Sequence, residues 1–439
     1  MKNNRGLITA SLLMIMLLTI VGFTGSEKPR ATPEHSCSSN PPSNVECNVI
    51  EGVGTNHTLP DVVGATISGG GQFDMANVVL ADFGTVGGGI DNFAGKLAVV
   101  GGGSYNRANG FRATVSGGSS NSSGGAYSNI GGGENNISSS YYTVIGGGSN
   151  NTASDRYATV AGGSGNMASF TLATVGGGGN NFATSIDSTV AGGSRNNASG
   201  AYSVVGGGAD NTASAIDATI SGGAGNIADG EHSNISGGLA NHTTGKYSVV
   251  SGGYANQAGS KNADQVQYAT IGGGSHNTAS GFFSTVPGGS ANEAAAVYSF
   301  AAGHQAKVDP SHDGAFLFAD STASDFNSTA PNEFGVRATG GIRFVTAVDA
   351  SGKPIAGLKL APGSNKWESI GNSQTSMSQD QATQIASLEN ENAALHSQVA
   401  KLDKRIAALE QQLTANTLLP SGVLFTGIVL VGFVFSHRR

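Results

Sequence analysis

An Ile or Val standing just ahead of a glycine pair recurs every 15 residues, ten times in succession, from Val100 to Val250. The anchors Val86, Val100, Val115, Ile130, Ile145, Val160, Val175, Val190, Val205, Ile220, Ile235, Val250, Ile271 and Val286 define the array, and a 21-residue step before Ile271 places a six-residue insertion around 260–265. Six residues after each anchor stands asparagine, as at Asn106, Asn121, Asn136, Asn151 and Asn166, and two further on a small residue, mostly alanine. The residue two before the anchor is small as well. Such a fixed period over half the chain demands a repeat architecture in which each unit contacts its neighbours.

A helical repeat is excluded, because glycines and β-branched residues in every unit are poor helix formers. Fifteen extended residues have a contour of about 50 Å at roughly 3.3 Å each, enough for two short strands and two turns. Stacked coils about 4.8 Å apart then pair as parallel β-ladders. Glycine explains one corner: 53 of the 69 glycines lie between Gly64 and Gly303, where close backbone approach and positive φ are tolerated. Asparagine suits the other turn, where it tolerates positive φ, and it can also stack as an amide ladder; either role is structural. One Ile or Val and one or two alanines per coil offset little of the roughly 1–2 kcal/mol per residue of backbone ordering. The expectation is therefore an obligate oligomer of rolls with their Ile/Val rows facing one another.

Units such as Ala201-Tyr-Ser-Val-Val-Gly-Gly-Gly-Ala-Asp-Asn-Thr-Ala-Ser214, and above all Tyr298-Ser-Phe-Ala-Ala-Gly-His-Gln-Ala-Lys307, resemble the head repeats of trimeric autotransporter adhesins of the YadA type. The resemblance covers about residues 64–307. It implies a left-handed parallel β-roll built by three chains, a homotrimer, with a coiled-coil stalk behind it. The sequence departs from that family in a longer, more glycine-rich unit and in lacking the family's C-terminal β-barrel anchor.

Outside the repeats, Lys2 and Arg5 precede an apolar run from Leu7 to Phe23 and a small stretch to Ser26, the order of a secretory signal peptide; the rival is an uncleaved anchor helix. In an exported chain Cys37 and Cys47 most simply form one disulfide. Residues 308–370 break the period and carry aromatic alternation, Phe316/Phe318, Phe334/Val336 and Ile342/Phe344, which reads as a β-rich cap with a core of its own and Trp367 packed at its junction. Heptads follow, with Ile385, Asn392, Val399, Ile406 and Leu413 at one seam position and Leu388, Leu395, Leu402 and Leu409 at the other. That pattern predicts a coiled coil over 379–416. An apolar run from Leu418 to Phe435 before His437-Arg438-Arg439 is long enough to span a membrane as a helix; Leu419-Pro420-Ser421-Gly422 also permits a sorting signal.

The expected fold is thus an all-β solenoid, a trimeric left-handed parallel β-roll, followed by a small β cap, an α-helical coiled-coil stalk and a C-terminal transmembrane helix. Its expected parts are a signal peptide (1–26), an N-terminal segment (27–63), β-roll head repeats (64–303), a cap (304–370), a linker (371–378), a coiled coil (379–416), a transmembrane or sorting-signal helix (418–436) and a basic cytoplasmic tail (437–439).

For function, a net charge of -7 gives no basic footprint for nucleic acid. Polysaccharide cleavage needs converging carboxylates, yet acidic residues fall at scattered phases: Asp187 and Asp217 share one, two coils apart, and Asp91 and Asp210 another, across eight. His312, Asp313 and Asp320 read as turn and cap residues rather than metal ligands. No catalytic, cofactor or metal residues are expected. The expected function is a non-enzymatic cell-surface or cell-envelope protein with an adhesin-like head, its partners being further copies of itself, the membrane that holds its tail, and an extracellular-matrix, cell-surface or glycan ligand. The alternatives are a carbohydrate-active enzyme on a parallel β-helix and a purely structural envelope protein.

Overall fold

The computed structural model describes residues 34–35, 47–260, 268–371 and 379–416. Two compact units divide the chain, residues 1–338 and 339–439.

The first unit is a parallel β-solenoid. Ladder A stacks two-residue strands such as Val99–Val100, Thr114–Val115 and Thr174–Val175 in parallel, in a register that repeats with the sequence period. Of the 21 strands in its sheet, Glu34–His35 pairs antiparallel at the N-terminal edge and Gly289–Ser290 is a side piece; the other 19 mark 19 turns from Val49–Glu51 to Phe334–Arg337. Ladder B stacks the strands that begin one residue after each repeat asparagine, from His57–Thr58 to Glu293–Ala294, and continues through Ala306–Val308 to Phe326–Asn327. A third row of single bridges runs from Ile90 to Ser290. At ~4.8 Å per turn the unit is about 86 Å long. The solenoid therefore extends beyond 64–303 at both ends, because Phe316–Ala319 and Phe334–Arg337 continue ladder A instead of starting a cap.

The coil ending at Ser188 shows why this sequence closes. Ala173, Val175 and Ala183 point inward and are fully buried, while Thr174 and Phe182 point out. Forward hydrogen bonds link each coil to the next: Thr174 N–H to the Ser188 carbonyl at 2.9 Å, Gly176 to Val190 at 2.8 Å and Phe182 to Asn196 at 2.8 Å. At two corners the chain turns left-handed, Asn180 at φ 55° and Asp187 at φ 51°, and their N–H groups reach back to Ser164 and Thr171 of the preceding coil. Gly178, at φ 86°, has no room for a side chain, since a Cβ there would stand 2.0 Å from the Gly193 carbonyl oxygen. Glycine at this corner thus lets successive coils of one chain stack.

Three expectations are corrected. The Ile/Val rows do not face other rolls: Val86, Val100, Val115, Ile130, Ile145 and Val160 are fully buried inside their own coils, with alanines packed against them. The alternation of 316–344 has the opposite phase: Leu317 is buried and Phe318 and Phe334 are exposed, because the coil interior accepts one aliphatic side chain per turn and leaves rings outside, and Phe344, on the sheet of the second unit, is exposed as well. Trp367, 47% exposed, leans on Phe344 at 5.5 Å instead of closing a junction.

The second unit holds an antiparallel sheet, Ile342–Val348, Pro354–Leu360 and Trp367–Ile370, and the helix Gln379–Asn416. Its Asp349 turn is tied by Oδ1, which accepts from Ser351 N–H and Lys353 N–H at 2.9 and 3.0 Å. The expected coiled-coil stalk is corrected: this is the one helix among the described residues, and Ile385, Leu388, Asn392, Leu395, Val399, Leu402, Ile406 and Leu409 are exposed along it. A heptad seam specifies a stripe, and burying it takes a second helix, which the described residues do not supply. The side chain of Leu413 lies outside those described. The expected transmembrane helix is corrected too, since no described helix is long and apolar enough to cross a membrane. The segments 1–26 and 418–439 lie outside the described residues.

Candidate interaction surface on the solenoid

Inward positions are committed to the fold. Asn106, Asn121, Asn136, Asn151 and Asn166 are buried in one amide ladder. Asn166 is typical: its Nδ2 donates to the Gly162 carbonyl of its own coil at 2.8 Å and the Gly178 carbonyl of the next at 3.0 Å, while its Oδ1 accepts from Asn181 N–H at 2.9 Å. The positive φ expected of these asparagines belongs to the residue before them, as at Ser120, Asn135 and Asn150. The ladder satisfies the corner carbonyls from inside the coil.

Charged side chains on the outside mostly pair along the stack. Arg195 holds Asp210 through two bonds of 2.6 and 2.7 Å, His232 meets Asp217 at 3.2 Å, His242 meets Asp229 at 2.9 Å and Lys246 meets Glu231 at 2.6 Å. Hydrogen bonding to Arg195 holds the Asp210 carboxyl below its ordinary range, and Lys246 does the same for Glu231. These pairs are solvent-exposed, so each adds little stability. The phase-sharing carboxylates do not converge: Asp187 and Asp217 sit on left-handed corners two coils apart, and Asp217 and Asp210 are each held by a base. His312 meets Ser328 Oγ at 2.7 Å, Asp313 accepts from Val297 N–H at 3.1 Å and Asp320 pairs with Arg337 at 2.9 Å, so the three serve separate turns.

One corner stands apart. Among the described residues, 14 of the 21 exposed large apolar side chains from Phe83 to Tyr298 occupy the positions three to five before the anchor. Three of 15 positions holding two thirds of them is a concentrated stripe. At the position three before the anchor the backbone is left-handed, yet Tyr127, Tyr142, Tyr157, Tyr247, Tyr268, Phe283 and Tyr298 stand there at φ between 54° and 61°. That conformation costs a non-glycine residue roughly 1–2 kcal/mol. Stacking offsets part of it, at about 0.5–1.5 kcal/mol per pair: Tyr127–Tyr142 and Tyr142–Tyr157 lie parallel at 4.9 and 5.2 Å. A second run joins His232, Tyr247, Tyr268, Phe283 and Tyr298 at 4.8–5.2 Å. Arg112 and Arg156 lie over the rings of Tyr127 and Tyr157 at 5.8 and 6.0 Å. Within each of the two runs ring faces are covered by neighbours, so each run offers one ring edge per turn, with a hydroxyl at each tyrosine.

This stripe escaped the sequence reading, although the 15-residue spacing of Tyr127, Tyr142 and Tyr157 is its signature. Cys47 is disulfide-bonded; its expected partner Cys37 lies outside the described residues. No group of three or more His, Cys, Asp or Glu side chains among the described residues is arranged to hold a metal.

No protein-family model matches the chain, and no curated protein matches it either. The likeness to YadA-type heads rests on the repeat units alone; the solenoid is the part of it that the structure shares.

Proposed function

We propose that the protein is a non-enzymatic, adhesin-like rod that works outside the cytoplasm, at the cell surface or in the envelope, and binds an extended matrix, cell-surface or glycan ligand along its aromatic corner. The observation that carries this reading is the run of rings on left-handed residues. Glycine or asparagine would fit those residues with less strain, and sequences that break a local rule repeatedly do so for what the side chain presents. The disulfide at Cys47 supports an oxidising compartment.

The test is binding of the full chain to immobilised matrix proteins and polysaccharides. Tyr142→Ala with Tyr157→Ala, and separately Tyr247→Ala with Tyr268→Ala, should weaken binding about ten-fold or more while circular dichroism is unchanged. Wild-type affinity in both pairs refutes the assignment. Turnover of a polysaccharide, abolished by removing Asp187 or Asp217, favours the enzyme instead.

A further inference from the structure

The two outer faces of the solenoid differ in a way that strand chemistry does not require. On ladder A the outward position just before the anchor is filled across 14 coils by eight threonines, four valines and two asparagines. On ladder B the matching outward row is mixed and includes Arg107, Met167, Phe182, His242 and Glu293. Both rows belong to two-residue parallel strands, so β-propensity acts alike on both. The restriction on ladder A has another cause.

Beside that row the surface drops away. The next outward position holds Gly, Ser or Ala in every coil except at Pro287, and the two after it are glycine throughout. No charged residue stands at any of these four positions in the 14 coils. Several of the glycines are free of their own fold: a Cβ at Gly192 or Gly222 would meet no atom within 4 Å. The face is thus a straight β-branched ridge beside a glycine furrow. At ~4.8 Å per coil it runs about 62 Å along the solenoid, and at up to ~3.3 Å per residue it is at most about 13 Å wide, which bounds it at roughly 800 Å². A stable interface buries about 800 Å² per partner.

We infer that this face seats a second copy of the chain, the Thr/Val ridge of each lying in the glycine furrow of the other. A two-fold axis between ridge and furrow makes the surface self-complementary, and dry packing of small and β-branched side chains between sheets needs no charge. The buried Ile/Val rows are thereby replaced by the outer row as the element that joins copies. The inference uses a different face from the aromatic corner and stands independently of what that corner binds.

The experiment is sedimentation of the full chain from 1 to 50 µM with three variants. Thr174→Arg with Thr189→Arg puts like charges in the middle of the ridge, and Gly192→Leu with Gly222→Leu fills the furrow at two positions where an added Cβ meets no atom within 4 Å. Asn197→Arg with Thr212→Arg makes the same change on ladder B. The expected result is a self-associated wild type, association weakened about a hundred-fold or more by the ridge charges and at least about ten-fold by the furrow variant, and a control like wild type, all with unchanged circular dichroism spectra. A monomeric wild type overturns the inference. So does association insensitive to either face variant, or equally sensitive to the control. If wild type is monomeric and the face variants lose ligand binding, the face belongs to the ligand.

Discussion

The asparagine ladder makes the sharpest prediction. In Asn166→Ala, a residue 1% exposed loses both Nδ2 bonds and its Oδ1 acceptor. The Gly178 carbonyl keeps the Ser164 N–H at 2.9 Å, but the Gly162 carbonyl and the buried Asn181 N–H lose their side-chain partner. The buried Asn181 N–H costs about 1–3 kcal/mol as an orphan and the half-buried Gly162 carbonyl about 0.5–1.5 kcal/mol for its lost bond, a total of about 1.5–4.5 kcal/mol. Because each coil contacts only its neighbours, the damage is local. Hydrogen exchange read by mass spectrometry should show protection falling in the coils around residues 151–196, with distant coils unchanged, and urea unfolding should shift accordingly. Asn197→Ala, on the outer row of ladder B, should stay within about 0.5 kcal/mol of wild type. Asn166→Asp keeps the shape but aims a carboxylate oxygen at two carbonyls, which raises its folded-state pKa. The folded chain then binds more protons than the unfolded one, so this variant should be most stable below about pH 4 and lose stability as pH rises. A loss under about 1 kcal/mol in Asn166→Ala, with exchange unchanged, would refute the view that the ladder holds the corner.

Adjacent glycines should behave oppositely. Gly163 has φ 89° and a Cβ there would stand 2.1 Å from the Gly178 carbonyl oxygen, so Gly163→Ala should cost about 2 kcal/mol or more. At Gly162 the nearest atom is 3.9 Å away, and Gly162→Ala should be neutral or slightly stabilising by thermal melt; equal effects at the two sites contradict the geometry. Acid should weaken the fold modestly. Hydrogen bonds from Arg195, Lys246, Ser311, Thr329 N–H and Ser351 lower the folded-state pKa of Asp210, Glu231, Asp309, Glu333 and Asp349 from ordinary values of 3.8 for Asp and 4.5 for Glu. Such groups contribute stability that is present above the ordinary value and lost as pH falls through the lowered one. The thermal midpoint should therefore drop as pH falls below about 4.5, and a midpoint constant down to pH 2.5 would contradict these pairings.

Period and side-chain chemistry made the coil legible before any coordinates. Val175 and Ile220 must face inward because an Ile or Val stands at that position in every unit while the larger apolar residues, such as Phe170 or Ile216, do not recur, and Gly178 must sit where a coil meets its neighbour. The sequence did not reveal that a single coil encloses Val175 completely, which removed the need for other rolls to cover it. Nor did it place the asparagines inside and the left-handed backbone one residue earlier, because an amide suits a turn and a ladder equally well. The aromatic corner was hidden for a related reason. Tyr142 lies 15 residues from Tyr127 and from Tyr157, and only stacking of coils at about 5 Å turns that spacing into contact.

By itself, then, the sequence determined the period, the parallel pairing and the identity of the inward residues, since these follow from local chemistry repeated at a constant interval. Tertiary structure decided which groups meet across coils: the amide ladder, the ring stacks, the ridge beside the furrow, and the bare seam of the lone described helix. Those depend on how 19 turns superimpose, a distance in space that no single repeat contains.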